Sequence, residues 1–235
     1  MPLVKGFSAV VIQRLRVRLA RRGPARLLSH LQQIDMVRRA LQDAAWPVSK
    51  TQAKKPKLKV SFGPAISVGY ESEAEYFDVD LQAKMDPARS QETLSPHLGD
   101  GYALVSVKSI PRFFPSLEES VNVARYVVQS PLLAPTKSRW EDFWRKENFL
   151  VIKKKEDREI AIDARACVRQ WALNGDTLEL ELRFGPGRTL KPERVVEAVC
   201  GFQPSDLVDD KGLLTCFISR KSLAFEKGSG DCVEP

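Results

Sequence analysis

The chain has 235 residues, 43% hydrophobic and 29% charged, with 37 Lys+Arg against 30 Asp+Glu. These values exclude a disordered chain, a collagen-like chain and a disulfide-stapled miniprotein, and they leave enough apolar side chains for a core in one or two domains. Residues 1–116 carry 18 Lys+Arg against 10 Asp+Glu, whereas residues 117–235 carry 19 against 20; a basic half joined to a neutral half points to a polyanion partner, nucleic acid before membrane.

The opening residues, Met1 to Gly6, have no signal-peptide pattern, and no apolar run approaches the ~18 residues of a membrane span. The expected location is the cytoplasm. Arg14-Leu15-Arg16-Val17-Arg18-Leu19 then alternates strictly, predicting a strand with Leu15, Val17 and Leu19 inward and three arginines on the other face. Ser29 with Gln32 three residues on is a capping box and starts a helix, whose apolar face reads Leu31, Ile34, Val37, Leu41 and Ala44. Period-two strands follow at residues 57–62 and 76–81, a short helix between Asp86 and His97, and a fourth strand from Tyr102 to Ile110. The order is β-α-β-β-α-β, the ferredoxin-like split unit.

The second half repeats this order less regularly. A strand is predicted at residues 123–129, then a helix with Ser138 and Glu141 as capping box and Trp140, Phe143 and Trp144 as apolar face. Strands are predicted at 150–154, 159–164 and 177–184. A helix with Pro192 in its first turn ends at Gly201, and a last strand runs over 213–219. The expected architecture is two ferredoxin-like α+β domains with antiparallel sheets, residues 10–115 and 116–227, followed by a flexible tail at 228–235.

The four cysteines, Cys167, Cys200, Cys216 and Cys232, form no C-x-x-C pair, and the only histidines are His30 and His97. Neither a metal nor another cofactor is expected from such a ligand set; buried free thiols are, with only Cys232 exposed. In a split unit the third strand lies between the first two, so Arg14, Arg16 and Arg18 should face Tyr76, Asp78 and Asp80 in cross-strand pairs. That pairing leaves little of the sheet face for a polyanion.

The turn Arg21-Arg22-Gly23-Pro24-Ala25-Arg26 is different, because it leads into a helix start, where free backbone N–H groups favour anions. Arg21, Arg22, Arg26 and His30 are its candidate phosphate ligands; for His30 the ordinary alternative is packing on the following strand. The loop Lys50-Thr51-Gln52-Ala53-Lys54-Lys55-Pro56-Lys57 carries no acid and adds Lys54, Lys55 and Lys57. The run Lys153 to Lys155 is balanced by Glu156, Asp157 and Glu159 and reads as a hairpin turn.

At these residues the chain resembles a known family. The stretch RLRVRLARRGPARLLSHLQQIDMVRRALQDAAWPVS followed by KVSFGPAISVGYESEAEYFDVDL carries the R-x-R-V/Y-x-x-A, L-S-H-L-D/Q and S-F-G-P…G-x-E-S-x-A-E-Y-x-D-V/I motifs of a bacterial radical-SAM-associated family of unknown function. A weaker likeness continues through residues 148–165 and 190–199. In place of that family's aromatic–Asn–Pro–His-rich stretch, this chain has Gln52 to Lys57. The resemblance implies a cytosolic bacterial protein that works beside a radical SAM protein on RNA. The C-x-x-x-C-x-x-C cluster motif is absent, so the chain is not expected to be that enzyme. The fold order also looks like that of the CRISPR repeat-processing endoribonucleases, an analogy of fold alone.

The expected function is therefore a non-catalytic RNA-binding or substrate-presenting module. One rival is a metal-independent endoribonuclease in which His30 moves a proton. Another is a protein–protein adaptor using Tyr70, Glu71, Glu73 and Glu75 in an acidic turn.

Overall fold

The alternation at residues 14–19 forms strand β1 (Gln13–Arg21) in the computed structural model, which describes residues 11–155, 158–209 and 214–235. The chain divides into two units, one holding residues up to Val68 with Glu73–Glu119, the other Gly69–Ser72 with Ser120–Pro235. In the first, β1 is followed by α1 (His30–Asp43), β2 (Val60–Phe62), β3 (Glu71–Leu81), α2 (Pro87–Leu94) and β4 (Tyr102–Ile110). Glu71 and Ser72, the first residues of β3, belong to the second unit.

The first unit's strand order is β4-β1-β3, with β2 paired to β3. β1 runs antiparallel to β4, with Val17 opposite Val107, and β2 antiparallel to β3, with Val60 opposite Val79. Leu15, Val17 and Leu19 meet Phe77, Val79 and Leu81 and the helix residues Val37, Leu41 and Leu94 in one core. Ser29 and Gln32 cap α1 as a reciprocal box, and Asp86 caps α2 by accepting from the Arg89 amide. Leu31 is a correction: it is 72% exposed, and the buried stripe uses Gln33, Val37, Ala40 and Leu41 instead. Gly101 (φ +80°) joins the end of β1 to the start of β4: the Arg22 amide donates to its carbonyl, and a Cβ there would lie 2.3 Å from the Arg22 carbonyl oxygen.

On the opposite sheet face the predicted rows are present. Arg14 Nε lies 2.8 Å from Asp80, Arg16 holds Asp78 through two bonds of 2.7 and 2.8 Å, and Arg18 stacks over the Tyr76 ring. This face is closed over. Arg16 and Asp78 are only 2% and 3% exposed, and Phe114, from the segment after β4, sits with its ring 5.3 Å from the Arg16 guanidinium.

The second unit contains β5 (Val123–Gln129), α3 (Lys137–Arg145), β6 (Leu150–Lys155), β7 (Arg158–Asp163), α4 (Ala164–Cys167), β8 (Val168–Asn174), β9 (Thr177–Arg183), α5 (Pro192–Cys200), α6 (Pro204–Leu207), β10 (Phe217–Glu226) and β11 (Cys232–Val233). Its strands run in the order β10-β5-β9-β8, antiparallel throughout, and Glu71 and Ser72 pair parallel to β10 at Ser219 and Arg220. Trp140 and Phe143 of α3, Val195 and Val196 of α5, and Leu178, Leu180 and Leu182 of β9 are buried, and Trp140 stacks on Trp171 of β8.

Several expectations for this half are corrected. The segments predicted as strands at 150–154 and 159–164 pair with each other as a separate two-stranded sheet, β6–β7. The sheet position they were expected to fill belongs to β8. A register shift between Val168 and Gln170 breaks its alternation, so Val168 and Trp171, three residues apart, stand opposite Leu182 and Leu180, which are two apart. The α3 capping box is not formed: the helix begins at Lys137 after a 3₁₀ turn over Pro131–Thr136, and the Thr136 hydroxyl donates to the Leu133 carbonyl. Trp144 is 37% exposed, with the Arg165 guanidinium 3.6 Å from its ring. The last strand starts at Phe217, and Leu213, the first residue of the predicted one, lies outside the described residues, as do Met1 to Gly6, Glu156 and Asp157. In the expected tail, Cys232 pairs with Glu226. Cys167, Cys200 and Cys216 are buried thiols and Cys232 is exposed.

Glu226 ties the second unit's polar side together. Arg183 donates to both its carboxylate oxygens (2.6 and 2.8 Å), Arg169 donates at 3.0 Å, and Asn122 brackets its backbone. The hydrogen bonds from Arg183, opposed by burial and reinforced by Arg169, hold its carboxyl down at about 2 against an ordinary 4.5. The folded pKa is the lower one, so the stabilisation is complete above pH 4.5 and disappears as the pH falls towards 2. Urea midpoints measured through this window should fall more steeply for the wild type than for Glu226→Gln; parallel curves would refute the linkage.

Candidate nucleic-acid interface

The helix start takes its shape from Arg21. β1 ends there, Gly23 (φ +52°) and Pro24 open a 3₁₀ turn over Gly23–Leu27, and Ser29 caps α1. The Arg21 side chain turns inward and has no solvent exposure. Its guanidinium donates to the carbonyls of Arg26 (2.6 Å) and Leu28 (2.8 Å) and to Gln33 Oε1 (3.3 Å). Gln33 Nε2 in turn donates to Glu75 Oε2 (2.9 Å), and the Tyr102 hydroxyl donates to Gln33 Oε1 (3.2 Å). Burial pushes the Tyr102 phenol up to about 12, with Arg21 opposing the shift and Glu75 adding to it.

Arg21 is thus corrected from surface ligand to buried brace. Gln33, Glu75 and Tyr102 were missed as its partners, yet a signal existed. Arg21 is two residues beyond Leu19, and Glu75 two before Phe77, so each keeps the parity of the core face.

The remaining helix-start candidates stay near solvent. Arg22 is exposed, 3.5 Å from the Glu73 carboxylate, and Arg26 is exposed. His30 is half-buried at the first position of α1, its ring edge-on to Phe62 of β2 at 6.2 Å. Its Nδ1 is enclosed and has no hydrogen-bond partner among the described residues.

Lys54, Lys55 and Lys57 are exposed on a loop that closes on itself. The Thr51 amide donates to the Lys57 carbonyl (2.8 Å), the Lys57 amide to Thr51 Oγ1 (3.0 Å), and Lys50 bridges to Leu58. The structure brings Lys57 together with Lys50 and with Arg38, Gln42, Pro56 and Leu58 around a cavity of about 300 Å³. Arg38 lies eight residues, about 12 Å of helix rise, beyond His30. Its Nε–H is enclosed without an acceptor among the described residues, and such a group costs about 1–3 kcal/mol when left unmade.

The acidic turn of the adaptor reading is a strand. Glu75 is buried against Gln33, and Tyr70 is buried and hydrogen-bonded to Glu193, so neither side chain presents a surface. Among the described residues, no three His, Cys, Asp or Glu side chains are grouped to hold a metal, and no helix is long and apolar enough to cross a membrane.

The brace predicts a sharp contrast between neighbouring arginines. Arg21→Ala strips Gln33 and two carbonyls of a buried cationic donor and should cost about 3–5 kcal/mol in urea unfolding. Arg26→Ala, which removes only an exposed side chain and keeps the carbonyl that Arg21 uses, should stay within about 0.5 kcal/mol. Equal losses would refute the assignment.

Comparison with known proteins gives one family. Residues 14–192 match the family described as "Uncharacterized protein conserved in bacteria (DUF2344)". No curated protein matches the chain. With most of its length inside that match, the chain belongs to this uncharacterized bacterial family.

Proposed function

We propose that this protein is an RNA-binding accessory module that presents RNA to a partner enzyme through the α1 side of its first unit. One observation carries the reading: folding divides the basic residues unevenly. Arg14, Arg16 and Arg18 are occupied on the closed sheet face and Arg21 is buried. Arg22, Arg26, Arg39, Lys50, Lys54, Lys55 and Lys57 remain exposed around α1 and its loop. A surface on which these cations outnumber the exposed acids Asp35 and Asp43 and the Arg22 partner Glu73 suits a phosphate backbone.

The strand orders β4-β1-β3-β2 and β10-β5-β9-β8, each interleaved with helices, support two ferredoxin-like units, the second carrying the β6–β7 hairpin as an insertion. The partner in this reading is a radical SAM protein, as the motif resemblance implies. None of the four cysteines has C-x-x-x-C-x-x-C spacing, so the cluster chemistry lies outside these residues.

Five phosphate contacts, from Arg22, Arg26, Lys54, Lys55 and Lys57, imply that log affinity for single-stranded RNA falls with log salt at a slope of about −3.5. Replacing the three lysines by glutamine should flatten the slope to about −1.4. Binding without salt dependence would sink the reading and favour a protein adaptor.

His30 separates binding from cleavage. His30→Ala should weaken RNA binding by about 1–2 kcal/mol, the loss of one charge-assisted hydrogen bond, while the wild type leaves labelled RNA intact in chelator. Cleavage by the wild type that His30→Ala abolishes would replace this reading with the nuclease.

A further inference from the structure

We infer that the cavity between α1 and the lysine loop binds a nucleoside phosphate, with Arg38, Lys50 and Lys57 on the phosphate monoester. Its lining, Arg38, Gln42, Lys50, Pro56, Lys57 and Leu58, contains three cations and no carboxylate. Arg38 and Gln42 are four residues apart on α1, so they share one helix face. Lys50 and Lys57 flank a loop whose ends are pinned together by the Thr51–Lys57 bonds and the Lys50–Leu58 bridge, and both residues line the cavity with that helix face.

The chemistry of each wall differs. Arg38, on the cavity wall, brings a planar donor fork, and phosphate oxygens match such a fork. Pro56 and Leu58 form an apolar surface for a ribose or a base, and the Gln42 amide carries both a donor and an acceptor for a base edge or a hydroxyl. A volume of about 300 Å³ exceeds what a bare phosphate fills and falls at the lower end of small-molecule sites. The acids nearest in sequence, Asp35 and Asp43, are exposed and do not line the cavity.

The inference deepens the RNA-binding reading and rests on it only for the source of the phosphate, which is either an RNA 5′ end or a free mononucleotide. Calorimetry on the full chain with uridine 5′-monophosphate and with uridine tests the site itself. The monophosphate should bind and uridine should not. Arg38→Gln should weaken the monophosphate roughly 10- to 100-fold and Lys57→Gln roughly tenfold, the scale of charge-assisted hydrogen bonds and ion pairs. Circular dichroism melts confirm that both variants fold, and Lys57, being exposed, serves if Arg38→Gln does not.

The source is read from RNA decamers with a 5′-phosphate or a 5′-hydroxyl. A preference for the phosphorylated end that Arg38→Gln removes supports the site with RNA as its ligand. Equal affinity for the two decamers, with monophosphate binding intact, supports it with the free nucleotide. No monophosphate binding, equal binding of uridine, or an affinity indifferent to both substitutions overturns it, even if RNA still binds in a salt-dependent way. Monophosphate binding without any RNA binding upholds the site and overturns only the RNA reading.

Discussion

A guanidinium with no access to water has to find its acceptors inside the protein, and Arg21 finds them in the 3₁₀ turn and in α1. Two carbonyls of the 3₁₀ turn and the Gln33 amide take its protons, and Gln33 passes the constraint to Glu75. The end of β1, the turn, α1 and β3 are thereby set against one another by hydrogen bonds rather than by apolar packing alone. A buried charge left without partners is strongly unfavourable, so the turn has little freedom to take another shape. Arg22 and Arg26 flank this brace, and their exposure follows from the turn that Arg21 closes.

The same half of the chain shows how a high positive charge becomes a local one. The alternating arginines of β1 look like a basic sheet surface, but each meets a partner of suitable charge or ring: Asp80, Asp78 and Tyr76. The Arg16–Asp78 pair is bidentate and enclosed beneath Phe114, a geometry that pairs the two charges away from solvent. What β1 and β3 neutralise on one side of the sheet is not neutralised around α1. In the second unit the polar side chains balance among themselves, Arg125 with Glu179, Arg169 with Glu181 and Arg183 with Glu226. In the proposed reading, this contrast is why polyanion contact falls to the first unit.

Much of this was legible in the residues because strict periodicity and local capping are decided by neighbours in sequence. β1, the 76–81 part of β3, β4, the α1 capping box and the Pro192-to-Gly201 helix follow from such local rules, and even the Arg–Asp rows followed from parity and strand order, whereas the first five residues of β3 did not. The failures share a cause: each depends on a contact or irregularity that the period does not carry. β8 escaped because a register shift interrupts its alternation. The start of α3 moved because Thr136 bonds within the preceding turn. Leu31 fits the helical stripe but projects where nothing packs on it. Arg21 was read as a loop residue although its parity is that of the core, since charge is a strong but not decisive signal of exposure. The cavity beside α1 was invisible for a simpler reason: Arg38 and Lys57 are distant in sequence, and only the loop's closure brings them together.

The arrangement around His30 bears on whether this surface binds or reacts. A general acid or base needs a proton path to substrate and a second group to orient it or complete the transfer. His30 is held by the edge of Phe62, and its Nδ1 is enclosed with no orienting acceptor among the described residues. Glu75 is already engaged by Gln33 within the Arg21 network. Binding asks for less. A charged surface need only place donors where phosphates can reach them, and the exposed lysines of a pinned loop and the arginines beside a braced turn meet that requirement without any group set for proton transfer. In the proposed reading, this surface therefore serves recognition, and the chemistry falls to the proposed partner.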